Sequence, residues 1–365
     1  MKKVLFTATV DSHILHFHIP YLKWFKEQGY EVHVATNGDE QIPYCDVKHK
    51  VDFKRSPFKF NNLRAIQQLK KIINEEKFEI IHCHTPMGGV VTRLAARKVR
   101  KNEHTKVIYT AHGFHFFKGA PIQNWLIFYP IEKWLSKSTD CLITINEEDY
   151  RLAKKKFHAQ KIELVHGVGI EKEKFNFEMT KQEKQELRQS LGLEEDDFVI
   201  LYVAELNNNK NQIMLIEAMK NLVKENKKVV ALLVGKGDYL EYYTEKIKEY
   251  QLEKNIILMG YRKDVPKLLK ITNLYVATSK REGLPLNIVE ALSCEVPVIA
   301  TNIRGHNELV HENENGYLID LNNIDQLEST IKKCIQENSK QYYFNVEQYG
   351  IDEVMDNIIK IYKEV

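Results

Sequence analysis

Short apolar runs alternate with amphipathic segments along almost the whole chain, and this alternation limits the folds that it can adopt. KVLFTATV (3–10) is followed by an amphipathic segment at 18–29 and by the apolar run YEVHVAT (30–36). The same order recurs with FVILYVA (198–204), a segment at 210–226 and KVVALLVG (228–235). Continuous apolar runs indicate strands buried on both faces, and helices between them indicate parallel sheets. The sequence therefore predicts two α/β units.

Further apolar runs extend each predicted sheet, and their positions suggest where the domains lie. They occur at 78–84, 106–112, 141–146 and 161–167 in the first half, and at 255–260, 274–278, 296–301 and 316–319 in the second. A length of 365 residues suits two domains of ordinary size. We predict an N-terminal Rossmann-like domain over 1–170, a charged junction over 171–195 and a C-terminal domain over 196–350. A final helix over 351–365 is expected to return to the first domain.

Composition narrows the class of protein. The formal net charge of +3 gives no reason to expect a nucleic-acid partner. The five cysteines are scattered without a C-x-x-C pair, which is typical of reduced thiols in the cytosol. Asp11 interrupts the first apolar run, so we interpret this run as a strand rather than a signal peptide. We expect a cytoplasmic protein.

Ligands of open α/β sheets bind beyond the carboxyl ends of the strands, so with two such sheets we expect a cleft between the domains. The segment EGLPLNIVEAL (282–292) follows such a strand. Pro285 suits the first turn of a helix, and the N–H groups there can bind phosphate. Glu282 and Glu290 could accept hydrogen bonds from ligand hydroxyls on either side. They could equally be a helix-dipole acid and a surface acid.

Two other segments of the second half also follow strands. LLVGKGD (232–238) contains Gly235 and Gly237, which either allow a nucleotide to approach the backbone closely or simply turn the chain. Lys210 lies near the start of a predicted helix, where a cation is unfavourable for the helix dipole. This placement favours an anionic ligand.

Polar residues follow the first-half strands as well. His112 comes directly after the strand at 106–112, where an imidazole would reach the expected cleft, and His115 is a second candidate. The loop at 10–18 follows the first strand and should help shape the same cleft, with Asp11, Ser12 and His13 as candidates. No G-x-G-x-x-G follows the first strand, which disfavours a dehydrogenase.

The E-x7-E spacing of EGLPLNIVEA, with LLVGKGD upstream and GYLI downstream, resembles that of the retaining GT-B glycosyltransferases of family 4. The resemblance covers nearly the whole chain. It implies an α/β GT-B fold, in which two Rossmann-like domains with parallel sheets face a central cleft. It also places Glu282 at the donor sugar and Glu290 at the ribose hydroxyls. The backbone of Gly283, Leu284 and Pro285 would lie beside the sugar and the diphosphate.

The same resemblance implies roles for the other strand-end residues. His112 would contact the donor sugar, Lys210 would neutralise the diphosphate, and Tyr261 and Arg262 would lie along the nucleobase. The acceptor-side candidates are Asp11, Ser12, His13 and His115. Relatives usually carry an arginine where this chain has Glu205. Lys210 then acts alone, or Arg262 or Arg281 supplies the missing charge.

The resemblance implies retaining, metal-independent transfer of a hexose or N-acetylhexosamine from a UDP-sugar to a growing, lipid-linked saccharide in capsule or exopolysaccharide biosynthesis. No D-x-D motif occurs, so no divalent metal and no cofactor are expected. A UDP-sugar epimerase of the same fold and a non-catalytic subunit of a glycan-assembly complex are the alternatives.

Aromatic residues and lysines mix at 51–64 and 114–137. This mixture suits peripheral association with the inner face of an anionic membrane. It suits a core with solvated lysines equally well.

Overall fold

The computed structural model describes residues 1–54, 61–102, 105–337 and 344–365. These residues form two compact units: unit 1 comprises residues 1–168 and 352–365, and unit 2 comprises residues 169–351. The predicted final helix thus belongs to unit 1.

Thirteen strands occur among the described residues. In chain order they are β1 (Lys3–Thr7), β2 (Glu31–Thr36), β3 (Val47–Lys50), β4 (Ile80–His84), β5 (Lys106–Ala111), β6 (Cys141–Thr144), β7 (Lys161–Leu164), β8 (Phe198–Val203), β9 (Val229–Val234), β10 (Ile256–Gly260), β11 (Leu274–Ala277), β12 (Val298–Thr301) and β13 (Gly316–Ile319).

The same part of the chain contains fourteen α-helices. They are α1 (Asp11–Phe17), α2 (Ile19–Glu27), α3 (Asn61–Glu76), α4 (Pro86–Asn102), α5 (Ile122–Ser136), α6 (Glu147–Lys156), α7 (Lys181–Ser190), α8 (Ile213–Glu225), α9 (Leu240–Glu249), α10 (Val265–Leu269), α11 (Leu286–Ser293), α12 (His306–Leu309), α13 (Ile324–Gln336) and α14 (Ile351–Glu364).

Each unit contains one parallel sheet, as the apolar runs predict. In the described part of unit 1, seven strands pair in the order β3-β2-β1-β4-β5-β6-β7, and in unit 2 six pair in the order β10-β9-β8-β11-β12-β13. All the strand pairings among the described residues are parallel, for example β1 with β4 and β8 with β11. The order reverses next to β1 and next to β8, so the loops after these strands and their neighbours lie at switch points where ligands bind. The predicted α/β fold class is confirmed.

Helix α14 completes the core of unit 1. Its side chains Val354, Ile358 and Ile361 pack in one buried cluster with β1 and α2 residues such as Phe6 and Leu22. This is the amphipathic face that its apolar spacing predicts. The hydroxyl of Tyr362 lies 2.6 Å from Nδ1 of the buried His82 of β4, and the Tyr362 ring stacks on Trp24 of α2.

The structure differs from the sequence-based expectation in three places. The loop expected at 10–18 contains helix α1. The strand β3, with the polar sequence VKHK, was not anticipated because an edge strand of four residues carries no apolar run. The junction expected at 171–195 includes α7, which begins with a capping box between Thr180 and Glu183 and belongs to unit 2.

Cys45, Cys83, Cys141 and Cys294 form no disulfide bond in the part of the chain that the structure describes. Within the described residues no helix has both the length and the apolarity needed to cross a bilayer. Part of the aromatic and basic segment at 51–64, residues 55–60, lies outside the described residues.

Candidate functional site

In unit 2 the loop after β8 is joined to the loop after β11 by a series of hydrogen bonds. The Asn209 carbonyl accepts from the Lys280 N–H (2.7 Å), and its side-chain amide donates to the Arg281 carbonyl (3.0 Å). Asn211 and Thr278 exchange two hydrogen bonds, one from Thr278 Oγ1 (2.8 Å) and one from Asn211 Nδ2 (3.2 Å). The asparagine-rich sequence ELNNNKNQ therefore fixes one strand-end loop against the next.

This arrangement brings together two of the predicted catalytic side chains. Lys210 Nζ lies 2.6 Å from Glu282 Oε1, and the two side chains are 22% and 13% exposed. Burial would raise the pKa of Glu282, but the charge of Lys210 and the hydrogen bond from Lys210 outweigh it and hold this pKa below its usual value. Glu282 is therefore ionised at neutral pH.

Two residues that follow β12 also approach Glu282, Arg304 in the loop and His306 at the start of α12, and neither was predicted from the sequence. Arg304 is buried and its Nε donates to the Glu282 carbonyl (3.2 Å). His306 is fully buried, and its Nδ1 lies 2.9 Å from the Thr301 carbonyl. Burial lowers the pKa of His306 to about 4, so its ring is neutral. Their position directly after a parallel strand is the signal that could have identified them.

Glu290 lies within α11, which begins after Pro285 as its N-cap residue. Burial raises the pKa of Glu290 to about 7. No hydrogen bond or ion pair to its carboxyl group occurs among the described residues. Glu290 and Glu282 thus differ in charge state although both belong to one E-x7-E motif.

The glycines of unit 2 have tight backbone contacts. A Cβ at Gly235 would lie 1.8 Å from the Ala204 carbonyl oxygen, and one at Gly237 would lie 2.2 Å from that of Leu206. A Cβ at Gly305, where φ is +83°, would lie 2.6 Å from the Gly283 carbonyl oxygen. Close packing of neighbouring strand-end loops is sufficient to require glycine at 235 and 237, in agreement with the simpler of the two sequence interpretations. Leu284 and Pro285 are buried beside this packing.

The other predicted donor residues have different surroundings from the Lys210–Glu282 pair. Glu205 is exposed, and its carboxylate accepts from Asn207 Nδ2 (2.9 Å). Arg262 pairs with Asp264, with Nε 2.8 Å from Oδ1. Tyr261 is 66% exposed, and the side chain of Arg281 is exposed. The arginine in contact with Glu282 is instead Arg304.

Three of the four acceptor-side candidates meet at one pocket in unit 1. Ser12, His13 and His115 line a cavity of about 600 Å³, together with apolar residues that include Phe17, Met87, Phe116, Phe128 and Ile131. Asp11 does not line this pocket. It is buried, and its carboxylate accepts from Thr36 Oγ1, the Glu40 N–H (2.9 Å) and Lys48 Nζ (2.8 Å). Asp11 therefore holds neighbouring loops in place, which is a correction to its predicted role.

His112 lies behind this pocket in a group of imidazoles. Its Nε2 is 3.3 Å from Nε2 of His13. His13, His18, His84 and His112 each offer a nitrogen within 4.8 Å of the others. Burial lowers the pKa of His112 to about 4, so the ring is neutral at pH 7. Glu31, His33 and Glu76 form a second group of possible metal ligands.

Two family models match the chain, one in each unit. The Glycosyl transferase 4-like model matches residues 3–146, and the Glycosyl transferases group 1 model matches residues 183–350. The second match includes Lys210, Glu282 and Glu290.

Relatives and solved structures agree with these models. The chain is 47% identical over 319 residues to the putative glycosyltransferase EpsD of Bacillus subtilis, covering 87% of this chain and 83% of EpsD. It is 32% identical over 272 residues to the UDP-Gal:alpha-D-GlcNAc-diphosphoundecaprenol alpha-1,3-galactosyltransferase of Escherichia coli, covering 72% and 68% of the two chains. The crystal structure of Anabaena HepE in complex with UDP superposes with a TM-score of 0.79 at 19% identity, and all of both chains is covered.

The paired parallel sheets, the two family models and the relative of 47% identity lead to one assignment. The chain belongs to the GT-B glycosyltransferases of the family 4 type.

Proposed function

We propose that this protein transfers a hexose or N-acetylhexosamine from a UDP-sugar to a growing, lipid-linked saccharide, with retention of the anomeric configuration. The observation that carries the proposal is the Lys210–Glu282 pair, which is largely buried at the ends of two neighbouring strands of one sheet. It presents a cation suited to a diphosphate next to a carboxylate suited to sugar hydroxyls. The setting that we propose is surface-polysaccharide assembly on the cytoplasmic side of the membrane.

In the donor complex this pair exchanges partners. Glu282 is ionised, so it can only accept, and a hydroxyl of the donor sugar replaces Lys210 as its donor. The freed ammonium group of Lys210 turns to the diphosphate. Together with the N–H groups at the start of α11, it stabilises the negative charge that develops as UDP leaves. The proposal includes no divalent ion at the diphosphate.

The remaining donor assignments follow the family resemblance. Glu290 accepts from the ribose hydroxyls, Tyr261 and Arg262 lie along the base, and His112 meets the donor sugar. Relatives usually carry an arginine at the position that Glu205 occupies here. Arg304 compensates for its absence indirectly, because the hydrogen bond from Arg304 to the Glu282 carbonyl fixes the position of Glu282.

The proposed acceptor is a saccharide on a lipid carrier. The Escherichia coli relative is named for an acceptor of this kind, GlcNAc-diphosphoundecaprenol. The pocket of unit 1 has a mainly apolar lining that also includes Ser12, His13 and His115. Such a lining suits the apolar part of a ligand, and the few polar groups suit its saccharide.

The named relatives favour neither a UDP-sugar epimerase nor a non-catalytic subunit. An epimerase would convert a UDP-sugar in the absence of any acceptor. A non-catalytic subunit would show no turnover with any donor.

Variants of the ion pair test the proposal. UDP-galactose and GlcNAc-diphosphoundecaprenol are the first substrates to try, followed by UDP-glucose, UDP-GlcNAc and UDP-GalNAc. We expect Glu282→Gln and Lys210→Ala each to lower turnover by about 10²–10³-fold, because each removes a group that acts on the reacting sugar or the leaving UDP. Comparison of anomeric signals of product and donor by NMR tests retention, and assays with EDTA test metal independence.

A double variant distinguishes a loss of activity from a loss of folding. Lys210→Ala alone leaves the buried carboxylate of Glu282 without its cationic partner, which is destabilising. Lys210→Met combined with Glu282→Gln removes both charges. The double variant should keep a cooperative thermal transition and lack activity. Lys224→Ala, on the exposed face of α8, is the matched control. Turnover of the double variant within a few-fold of that of Lys224→Ala would contradict the proposal.

A further inference from the structure

Unit 1 contains a cluster of imidazoles whose polar atoms are not satisfied. Both ring nitrogens of His18 and both of His84 are buried and have no hydrogen-bond partner among the residues that the structure describes. These two side chains are 2% and 1% exposed. Burying a polar group without a partner costs on the order of 1–3 kcal/mol. Four such nitrogens in one place therefore point to a missing ligand.

We propose that His13, His18, His84 and His112 form a site for a transition-metal ion of the kind that imidazole favours, such as Zn²⁺ or Co²⁺. A ligand nitrogen of each residue lies within 4.8 Å of those of the others. The four residues come from α1, the loop between α1 and α2, the end of β4 and the residue after β5. Neutral imidazole is a common ligand of these ions.

The distances suit a tetrahedral ion. With bonds of about 2.0–2.1 Å, a tetrahedron places its ligand nitrogens about 3.3–3.4 Å apart and the ring centroids about 5 Å apart. The Nε2 atoms of His13 and His112 are 3.3 Å apart. Five of the six centroid distances within the group lie between 4.7 and 5.9 Å.

The sixth pair indicates what binding must change. The rings of His18 and His84 are stacked with centroids 3.7 Å apart, which is too close for both to point at one ion. Binding would rotate one ring out of the stack. This movement would replace a contact between two unsatisfied rings by two metal–nitrogen bonds.

The second group of possible ligands provides a contrast. In the group of Glu31, His33 and Glu76, His33 bonds to Glu31 (2.7 Å) and to His49 (2.8 Å), and Lys3 Nζ lies 2.6 Å from Glu76. The ammonium group of Lys3 already supplies a positive charge to this group, and both ring nitrogens of His33 have hydrogen-bond partners. The same reasoning therefore assigns no ion to that group.

The inference does not depend on the proposed function, but it competes with one assignment in it. An ion on Nε2 of His112 would leave only Nδ1 of that ring for a sugar. The pocket of unit 1 borders the site through His13, so an ion there would lie at the edge of the proposed acceptor pocket.

Metal titration of the untagged full chain tests the site. The protein is stripped with a chelator, then titrated with Co²⁺ and Zn²⁺, and the metal content, the cobalt d–d absorption and the melting temperature are measured. We expect one ion per chain, a tetrahedral cobalt spectrum and a higher melting temperature, since a ligand that binds the native state stabilises it.

The variant His18→Phe separates a metal ligand from a packed ring, because it preserves an aromatic ring in the stack. We expect it to bind Co²⁺ at least about tenfold more weakly and to lose the metal-dependent rise in melting temperature. Without metal, His18→Phe should be as stable as the parent chain or more stable, because it removes two unsatisfied nitrogens. His158→Gln, an exposed histidine of unit 1, is the matched control and should bind like the parent chain.

Two results would overturn the inference. One is an untagged chain that binds no stoichiometric Co²⁺ or Zn²⁺ and whose melting temperature does not respond to either ion. The other is equal binding by His18→Phe and His158→Gln, which would place the ion elsewhere on the surface.

Discussion

At the scale of single residues, the two acids of the E-x7-E motif, Glu282 and Glu290, differ in whether a cation lies next to the carboxyl group. Glu282 has Lys210 as a partner and remains charged. Glu290 is buried without a compensating charge, and this burial raises its pKa to about 7. One acid therefore acts only as an acceptor near neutral pH, whereas the other can both donate and accept.

The raised pKa of Glu290 predicts a dependence of stability on pH. From about pH 4.5 to pH 7 the unfolded chain releases the Glu290 proton and the folded chain keeps it, so stability falls as pH rises through this window and is level above it. Glu290→Gln removes this penalty. We expect the variant to be about 1–3 kcal/mol more stable than the parent chain at pH 8 and nearly equal to it at pH 4.

Urea unfolding followed by far-UV circular dichroism at both pH values measures this difference. Glu295→Gln, an exposed acid two residues beyond the end of α11, is the control and should show no such change. If Glu290 binds ribose as proposed, the stabilised variant should also bind UDP more weakly. An equal shift in both variants would contradict the assignment of the raised pKa to Glu290.

Sequence reasoning reached some of these residues and missed others for a physical reason. Lys210 and Glu282 follow strands of the same sheet, so the parallel topology alone predicts that they lie close together. The four-histidine cluster was not foreseen, since the ring that stacks on His18 comes from a strand more than sixty residues away in the chain. Local patterns do not record such contacts.

At the scale of secondary-structure elements, α5 is unusual because it is apolar on nearly every side. Phe128 and Ile131 line the pocket of unit 1. On another side Ile122 and Leu126 are each 70% exposed and Trp134 is 48% exposed. A helix that is apolar on all sides is normally buried. We therefore expect the exposed ridge formed by Ile122, Leu126 and Trp134 to contact another apolar surface.

The ridge predicts binding to an anionic bilayer, in line with the proposed lipid-linked acceptor. We expect the double variant Ile122→Ser/Leu126→Ser to cosediment several-fold less with phosphatidylglycerol vesicles, because apolar contact and the lysines in and next to α5 (Lys118, Lys133 and Lys137) both contribute to interfacial binding. Leu321→Ser, at a 40% exposed position in unit 2, is the control. Equal cosedimentation of the two variants would show that α5 does not contact the membrane.

The elements that the sequence revealed and those that it hid differ in burial. Strands such as β9, with all six residues buried, appear as continuous apolar runs and were predicted to within a residue at each end. The short helix α1 has no side-chain N-cap, and the edge strand β3 is polar, so neither carries the local signal that marks a boundary. Both are held by neighbouring elements instead.

At the scale of the whole molecule, unit 1 is built from two separate parts of the chain. Residues 352–365 belong to it, although residues 169–351 form unit 2. All three tryptophans, Trp24, Trp125 and Trp134, lie in unit 1. Tryptophan fluorescence therefore reports the unfolding of unit 1 alone.

This division predicts that a core substitution in α14 weakens unit 1 selectively. Ile358 is 4% exposed, and Ile358→Ala should lower the stability seen by tryptophan fluorescence by about 2–5 kcal/mol, through lost burial and the cavity that remains. Asp356→Ala, on the exposed face of α14, should change it little. If UDP binds unit 2, the transition that UDP shifts should be the same in both variants. A fluorescence transition unchanged by Ile358→Ala would mean that α14 is not needed by unit 1.

The position of α14 also has a consequence for biosynthesis. A ribosome delivers the seven strands of unit 1 first, then all of unit 2, and only afterwards the helix whose Tyr362 reaches His82. During translation one part of the core of the nascent N-terminal sheet remains exposed until α14 has been synthesised. Unit 2 is one continuous segment and can fold as soon as that segment is complete. The part of the protein that is made earliest is thus completed last.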